Sequence, residues 1–226
     1  MLKISNPTKK PVLLIGIILS VLLPFLAMYF SLLVKKLGIG SETQFYISRF
    51  AIWISVLVLF LYSIKIEKQP LLIWGETEYS ITAFAKAIFI TFVKLFIAVY
   101  ISSLLIMLLK INTGESAVLS KALALFKKNH FLLFFTCITA GITEELIFRG
   151  YLLPRLELVL KNKNLAIVLS SILFGFLHIG YGTLLNVIGP IVIGFVFAIQ
   201  YDKYRNIKIL MFCHFAWDLL LLMAKI

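Results

Sequence analysis

The stretch FLLFFTCITAGITEELIFR, residues 131–149, decides how the chain folds. Its first ten residues are almost wholly apolar, and it ends on Glu144, Glu145 and Arg149. A run of about 20 apolar residues is long enough to cross a bilayer as a helix. The same greasy composition extends over the whole chain of 226 residues. It is 62% hydrophobic and 14% charged, whereas soluble domains are nearer half apolar with about a quarter of their residues charged. So much apolar side chain cannot be hidden in one soluble core, and the chain reads as a polytopic membrane protein.

Further runs of membrane length fall at 11–34, 45–64, 81–109, 164–180, 183–201 and 207–225, which with 131–149 makes about seven spans. The third carries Lys86 and Lys94, so its first turns are expected in the interface. Residues 110–130 form a polar loop followed by a short amphipathic piece lying on the membrane surface. No linker, repeat or soluble domain interrupts this pattern. The predicted fold is all-α: one transmembrane helical bundle over 1–226, with a core at 131–226 carrying the unusual residues and N-terminal spans and a surface loop at 1–130.

The net charge of +12 belongs to this membrane setting. Lysines cluster at the ends of apolar runs, at Lys9–Lys10, Lys35–Lys36, Lys127–Lys128 and Lys161–Lys163, where they anchor helix ends and face anionic headgroups. The basic patch with interleaved aromatics that nucleic acid would need is missing, so no nucleic-acid partner is expected. The basic start is followed by an apolar run too long for a signal peptide. Cys137 and Cys213 both lie inside apolar runs, where a disulfide is not expected. Basic residues in the 149–163 and 202–208 loops favour a cytoplasmic N-terminus, although the lysine-rich 110–130 loop argues the other way. Lysine outnumbering arginine, with abundant Ile and Phe, suits an AT-rich bacterial genome, and the cell membrane is the expected location.

Three places put ionisable groups at membrane depth: Glu144-Glu145-Leu-Ile-Phe-Arg149, Phe174-Gly-Phe-Leu-His178 and His214-Phe-Ala-Trp-Asp218. A central charge costs roughly 2.5–3.5 kcal/mol on insertion scales, so the four formally charged groups together would cost on the order of 10 kcal/mol unpaired. They must pair, sit in a wet cavity, or both. Glu145 and Arg149 are four apart and share a helix face, as do His214 and Asp218. Glu144 points about 100° away from Glu145. One glutamate can therefore hold the arginine while the other stays free for chemistry. A carboxylate in a low-dielectric pocket is a usable general base. A histidine within reach can share the activation of a water, and a second histidine with an Asp or Asn can support an oxyanion. Together these describe peptide hydrolysis without a nucleophilic serine.

Each feature alone has a plainer explanation. Glu145 and Arg149 form a common helix-stabilising pair, His178 suits an interface, and Asp218 can neutralise a lysine. His130 reads as interfacial, and Cys213 points about 100° away from His214. Asn186 and Gly189-Pro190 read equally as a helix break lining a cavity or as a plain kink. Three ionisable groups on three spans are what packing does not require. No H-E-x-x-H run is present, Ser170-Ser171 lack an activated setting, and only Asp218 qualifies as a membrane aspartate. At 1.5 Å per residue Glu144 falls roughly 20 Å into its span and His178 roughly 20 Å into the next, antiparallel one. Straight helices would leave them at different depths unless tilt, a shifted span start or a break at Gly175 brings them level.

In order and spacing, the three motifs resemble the CPBP family of CAAX proteases and bacteriocin-processing enzymes, also called Abi, over residues about 131–226. The resemblance implies a glutamate-type intramembrane endopeptidase without a metal or other cofactor. Glu144 and His178 would activate water, His214 and Asp218 would support the oxyanion, and Glu145 and Arg149 would shape the site. Asp218 stands where some members have Asn; it acts either as a protonated donor or by orienting His214. The implied partners are the bilayer and a peptide or membrane-protein substrate. Three competing readings remain: a non-catalytic immunity or peptide-binding protein using the same cavity, a proton-coupled carrier, and a metal site built from His178, His214 and carboxylates.

Overall fold

The computed structural model describes residues 9–110 and 114–226. The basic start at Lys3 and residues 111–113 of the expected surface loop lie outside that range. The described residues are helical with no strands. α1 is Lys10–Lys35, α2 Ser41–Tyr62, α3 Ile81–Leu108, α4 Ala117–Lys128 and α5 His130–Glu145. α6 is Leu153–Leu160, α7 Lys163–Phe176, α8 Leu185–Tyr204 and α9 Ile207–Met223. The expected all-α membrane bundle is therefore what forms. Six helical stretches are long and apolar enough to cross a bilayer. The seventh expected span, α9, is a helix of 17 residues, at the short end of the spanning range.

Two differences from the sequence reading matter. Residues 149–160 are not a loop. After Glu145 the helix widens into a π-helical turn, Leu146–Leu152, and continues as α6 to Leu160. At the other end of α7 the chain tightens into a 3₁₀ turn, Leu177–Tyr181. The depth mismatch disappears as a result. Glu144 lies 16 residues before Leu160, and His178 lies 15 residues after Lys163, the next helix start. Both are then roughly 23 Å from the same end of the bundle. The longer helix levels them; no break at Gly175 is needed. That glycine instead lets α8 come close, because a Cβ there would fall 2.1 Å from Ile191 Cγ1 and 2.8 Å from the Val187 carbonyl. α8 likewise runs unbroken through Pro190.

The bundle is built for lipid. Large apolar side chains such as Phe89, Tyr100, Met107 and Phe131 stand exposed on its outside, where a soluble protein would bury them. Hydroxyls inside the helices fold back onto their own backbone: Ser55 donates to Ala51 O, Thr91 to Ala87 O and Thr143 to Thr139 O. This satisfies polar groups without water. α5 packs on α9, α7 on α8 and α1 on α2.

One end of the bundle is pinned by a buried ionic cluster that the sequence reading did not foresee. Glu67, in the π turn that ends α2, accepts from Arg155 Nε and Nη2 at 2.8 and 2.6 Å and from the Tyr151 hydroxyl at 2.6 Å. Arg155 Nη1 and Nη2 also donate to the Leu71 and Pro70 carbonyls at 3.0 and 3.2 Å. Arg155 and Glu67 are both fully buried side chains, so their pairing locks the α2 end and the loop after it against α6. A second such tie joins Glu76 in that loop to the Tyr201 hydroxyl at 2.7 Å and to the Ile207 amide at 2.7 Å, holding α8 and the start of α9. Removing one partner of a buried pair strands a charge and costs about 3–5 kcal/mol, whereas replacing both by apolar residues costs far less. Arg155→Met is accordingly expected to lower the thermal unfolding midpoint of the detergent-purified protein sharply. The double variant Glu67→Leu/Arg155→Met should recover most of that loss.

Candidate active site

The site is assembled from the irregular ends of α5 and α7 and from the middle of α9. Glu145 is the last residue of α5 and is fully buried. One of its oxygens, Oε1, accepts from Arg149 Nη1 at 2.8 Å and from His214 Nδ1 at 2.8 Å. The sequence reading gave Glu145 the arginine alone; the structure adds the histidine. Arg149, also fully buried, sits in the π turn one helical step on. Its Nη2 donates to the Gly194 carbonyl of α8 at 3.1 Å, and its guanidinium lies 4.4 Å from the Phe174 ring centroid and 5.5 Å from that of Phe197. The hydrogen bonds and ring contacts offset part of the cost of burying this charge, although Nε has no partner among the described residues.

Glu144 does not point away from this assembly as far as the 100° step suggests. Its Oε2 stands 3.9 Å from His214 Nε2 and has no hydrogen-bond partner. The neighbouring glutamates thus face opposite nitrogens of one imidazole. Since Nδ1–H donates to Glu145, the Nε2 edge is left toward the cavity, where Asp218 Oδ2 lies 3.5 Å away. Asp218 keeps 30% of its side chain exposed, more than any other member of the group. His178, in the 3₁₀ turn, donates Nδ1–H to the Phe174 carbonyl at 3.0 Å and stacks on Tyr181 with ring centroids 6.0 Å apart. That leaves its Nε2 as the free edge.

Close packing between α5 and α9 makes the Glu145–His214 bond reachable. Gly141, one turn before Glu145, has no room for a side chain: a Cβ would fall 2.8 Å from the Phe215 amide and 2.9 Å from the Met211 carbonyl. Those two residues flank His214 on α9. Small residues at such crossings let membrane helices approach closely.

Glu144, His178, His214 and Asp218 line one cavity of about 120 Å³ together with Thr136, Ala140, Phe174, Tyr181, Pro190 and Arg49. Room for several waters follows from that volume. Leu119, Ala122 and Phe126 of the amphipathic α4 form another part of the wall. Arg49, from α2, is the lining residue that motif reading missed; a lone arginine nine residues into a hydrophobic span was the available signal. Glu145 and Arg149 lie behind the wall as its support. Cys213 faces elsewhere, with Sγ 3.8 Å from the Ile88 carbonyl. Ser170 and Ser171 donate to the Phe148 and Ile167 carbonyls, so neither hydroxyl is part of the cavity. Among the described residues no group of three or more His, Cys, Asp and Glu side chains is arranged to hold a metal ion.

Residues 126–220 match the family model described as type II CAAX prenyl endopeptidase Rce1-like. The resemblance carried by the three motifs therefore stands over the region that supplies Glu144, His178, His214 and Asp218. That family is one of CAAX-protease-type intramembrane hydrolases. The chain is also 32% identical over 124 residues to an uncharacterized protein of Mycoplasma capricolum subsp. capricolum, which covers 51% of this chain and 36% of that protein. It thus spans about a third of the length of the curated relative it matches. No solved structure matches the chain.

The geometry separates the two glutamates experimentally. Glu145→Gln removes the charge that faces buried Arg149 and His214, and the folded state should lose about 3 kcal/mol or more. Glu144→Gln neutralises a carboxylate whose buried oxygen has no hydrogen-bond partner among the described residues, and it should leave stability unchanged or raise it. Thermal midpoints of the two variants in detergent check this ordering. Gly141→Ala should lower the midpoint as well, by an amount equivalent to about 1–3 kcal/mol of overpacking.

Proposed function

We propose that the protein is an intramembrane endopeptidase that hydrolyses a peptide bond through a water activated by Glu144 and His178. The observation that carries this reading is the convergence of Glu144, His178, His214 and Asp218, from three separate helical segments, on one cavity inside an apolar bundle. Neither packing nor insertion calls for such a cluster, since each group is costly at membrane depth. The Rce1-like match over residues 126–220 supports the same class of reaction.

The steps follow from the side chains. A water held between Glu144 and the Nε2 edge of His178 gives up a proton to Glu144 as its oxygen attacks the carbonyl carbon of the scissile bond. Negative charge moves onto the carbonyl oxygen. His214, in its doubly protonated form, donates Nδ1–H to Glu145 and presents Nε2–H to that oxyanion. Because Glu145 Oε1 is itself anchored by Arg149, the imidazole is held before substrate arrives, and pre-set donors of this kind require no rearrangement at the moment of reaction. Asp218, 3.5 Å from His214 Nε2, acts as an orienting carboxylate for that ring. Collapse of the tetrahedral species breaks the C–N bond, and Glu144 returns the proton to the leaving amine. The products are one carboxylic acid and one amine, with water consumed.

In this reading general base, oxyanion donor and positioning charge all come from side chains. The substrate is a peptide or a membrane-associated protein. The setting we infer is a bacterial cell membrane with the N-terminus cytoplasmic. Lys10, Lys161, Lys163, Lys203, Arg205 and Lys208 support this, because they gather at the bundle end where α1 begins and where α6 gives way to α7 and α8 to α9. Basic residues favour the cytoplasmic face.

Comparing the membrane and secreted peptides of cells carrying wild type, Glu144→Ala or His178→Ala tests the reaction. Both variants are expected to insert normally yet leave one or more peptides uncut, with rates down by at least about 100-fold, the lower range for loss of a general base. Unchanged processing in both variants ends the hydrolytic reading. Glu144→Gln discriminates against a purely binding role: it should abolish cleavage, whereas a non-catalytic peptide-binding or immunity protein should tolerate it.

A further inference from the structure

Arg49 is the feature of the cavity that hydrolysis leaves unused. It lies in α2, nine residues into Ser41–Tyr62, in a helix otherwise apolar from Phe45 onward apart from two serines and Tyr46 and Tyr62. It is half-buried and lines the same cavity as Glu144, His178, His214 and Asp218. Its Nε makes a long 3.4 Å contact with the Ser48 hydroxyl. Among the described residues no carboxylate lies within 4.0 Å of its guanidinium. The two fully buried arginines of the described bundle, Arg149 and Arg155, are both paired with glutamates at 2.8 and 2.6 Å. A half-buried cation that faces a wet cavity with no carboxylate within ion-pair distance is free to take an anion from outside the chain.

The neighbouring helix α5 supplies a second polar group near the same level. Tyr46 and Phe50, which bracket Arg49 on α2, both pack on Phe135 of α5, with ring centroids 5.7 and 5.6 Å apart. Thr136 follows Phe135, lines the cavity, and has a buried hydroxyl with no hydrogen-bond partner. Thr136, Ala140 and Glu144 form one stripe along α5, so this level lies two helical turns from Glu144, roughly 12 Å. Around it the wall is apolar: Phe45, Leu119, Phe126 and Leu222. A guanidinium offers a planar fork that matches the two oxygens of a carboxylate, and a hydroxyl adds a third donor.

We infer that Arg49 and Thr136 form a carboxylate-binding subsite that selects peptide substrates by an anionic group displaced from the scissile bond. The inference rests on the endopeptidase reading for the identity of the ligand as a peptide. A chain-terminal carboxylate and an Asp or Glu side chain share the chemistry, and the experiment separates them. The salt link is charge-assisted, so losing it should weaken retention about tenfold or more.

The full-length protein is reconstituted in nanodiscs and exposed to octapeptide mixtures. The mixtures are made with free C-termini or C-terminal amides, each with or without Asp and Glu at internal positions. Retained peptides and newly formed ends are read by mass spectrometry. Retention is expected to favour carboxylate-bearing peptides about tenfold or more. Preference for free termini identifies the main-chain carboxylate, and preference for acidic amides identifies a side chain. Arg49→Gln should abolish the preference, Arg49→Lys should keep part of it, and Thr136→Val should reduce it several-fold. Equal retention of all four mixtures by wild type overturns the subsite, as does an unchanged preference in Arg49→Gln or no retention of any peptide. Selective retention without new peptide ends leaves the subsite standing and removes the endopeptidase reading. Cleavage without carboxylate preference does the reverse.

Discussion

One carboxylate oxygen organises the centre of this molecule. Glu145 Oε1 accepts from Arg149 and from His214 at the same 2.8 Å distance. Arg149 in turn reaches the Gly194 carbonyl, so a single buried anion ties α5 to α9 directly and to α8 through the arginine. The arrangement is all-or-none in character. Each charge is tolerable in the low-dielectric interior only because the others are present. The bond to Nδ1 also fixes which nitrogen of His214 is turned to the cavity, which a lone histidine on a helix would leave undetermined.

Irregular backbone appears where this centre needs it. The π turn after Glu145 adds a residue to the helix circumference, and it is this turn that carries Arg149 and Gly150. Gly150 has Leu72 against it: a Cβ would fall 2.5 Å from Leu72 Cδ2. π turns of this kind commonly mark functional sites. The 3₁₀ turn at Leu177–Tyr181 holds His178. Non-helical backbone is tolerated at membrane depth only where protein or a wet cavity replaces the lost hydrogen bonds. Both irregular turns meet that condition, since both border the cavity or the buried support behind it.

The sequence made the spans legible because lipid imposes a blunt requirement, long apolar helices, and composition reports that requirement directly. The limits of α2, α3, α7 and α8 fall within four residues of the apolar runs that announced them. It also made the exceptional residues legible, because Glu144, His178, His214 and Asp218 are expensive in such surroundings. What it concealed were relations that depend on one or two residues of register. The helix runs past the expected span end at Arg149 because the pairing that makes a buried charge tolerable is invisible in composition: Arg149 and Arg155 are buried and the helix passes through both. The double use of Glu145 was hidden because helical geometry relates residues of one helix to each other and says nothing of a partner 69 positions away. The Glu67 cluster was hidden for the same reason, with partners more than 80 positions distant.

The Rce1-like match begins at residue 126, and the groups proposed to carry out hydrolysis all lie beyond that point. The cavity does not. Phe45 and Arg49 come from α2, and Leu119 and Ala122 from α4, so residues ahead of the matched region wall a space that the matched region alone would leave open. This division has a physical basis. The proposed hydrolysis needs acid and imidazole groups fixed to fractions of an ångström, and the Glu145–Arg149–His214 network holds one such imidazole within the matched region. Recognition of a substrate needs a wall of suitable shape and charge, and that tolerates assembly from separate helices. α4 is suited to such a wall because its amphipathic face already lies against the bundle through Ala122 and Phe126. Its position is fixed by Ser116, whose hydroxyl caps the helix at the Leu119 amide and donates to the Tyr181 carbonyl beside His178. The amphipathic helix and the 3₁₀ turn that holds His178 are thus hydrogen-bonded neighbours.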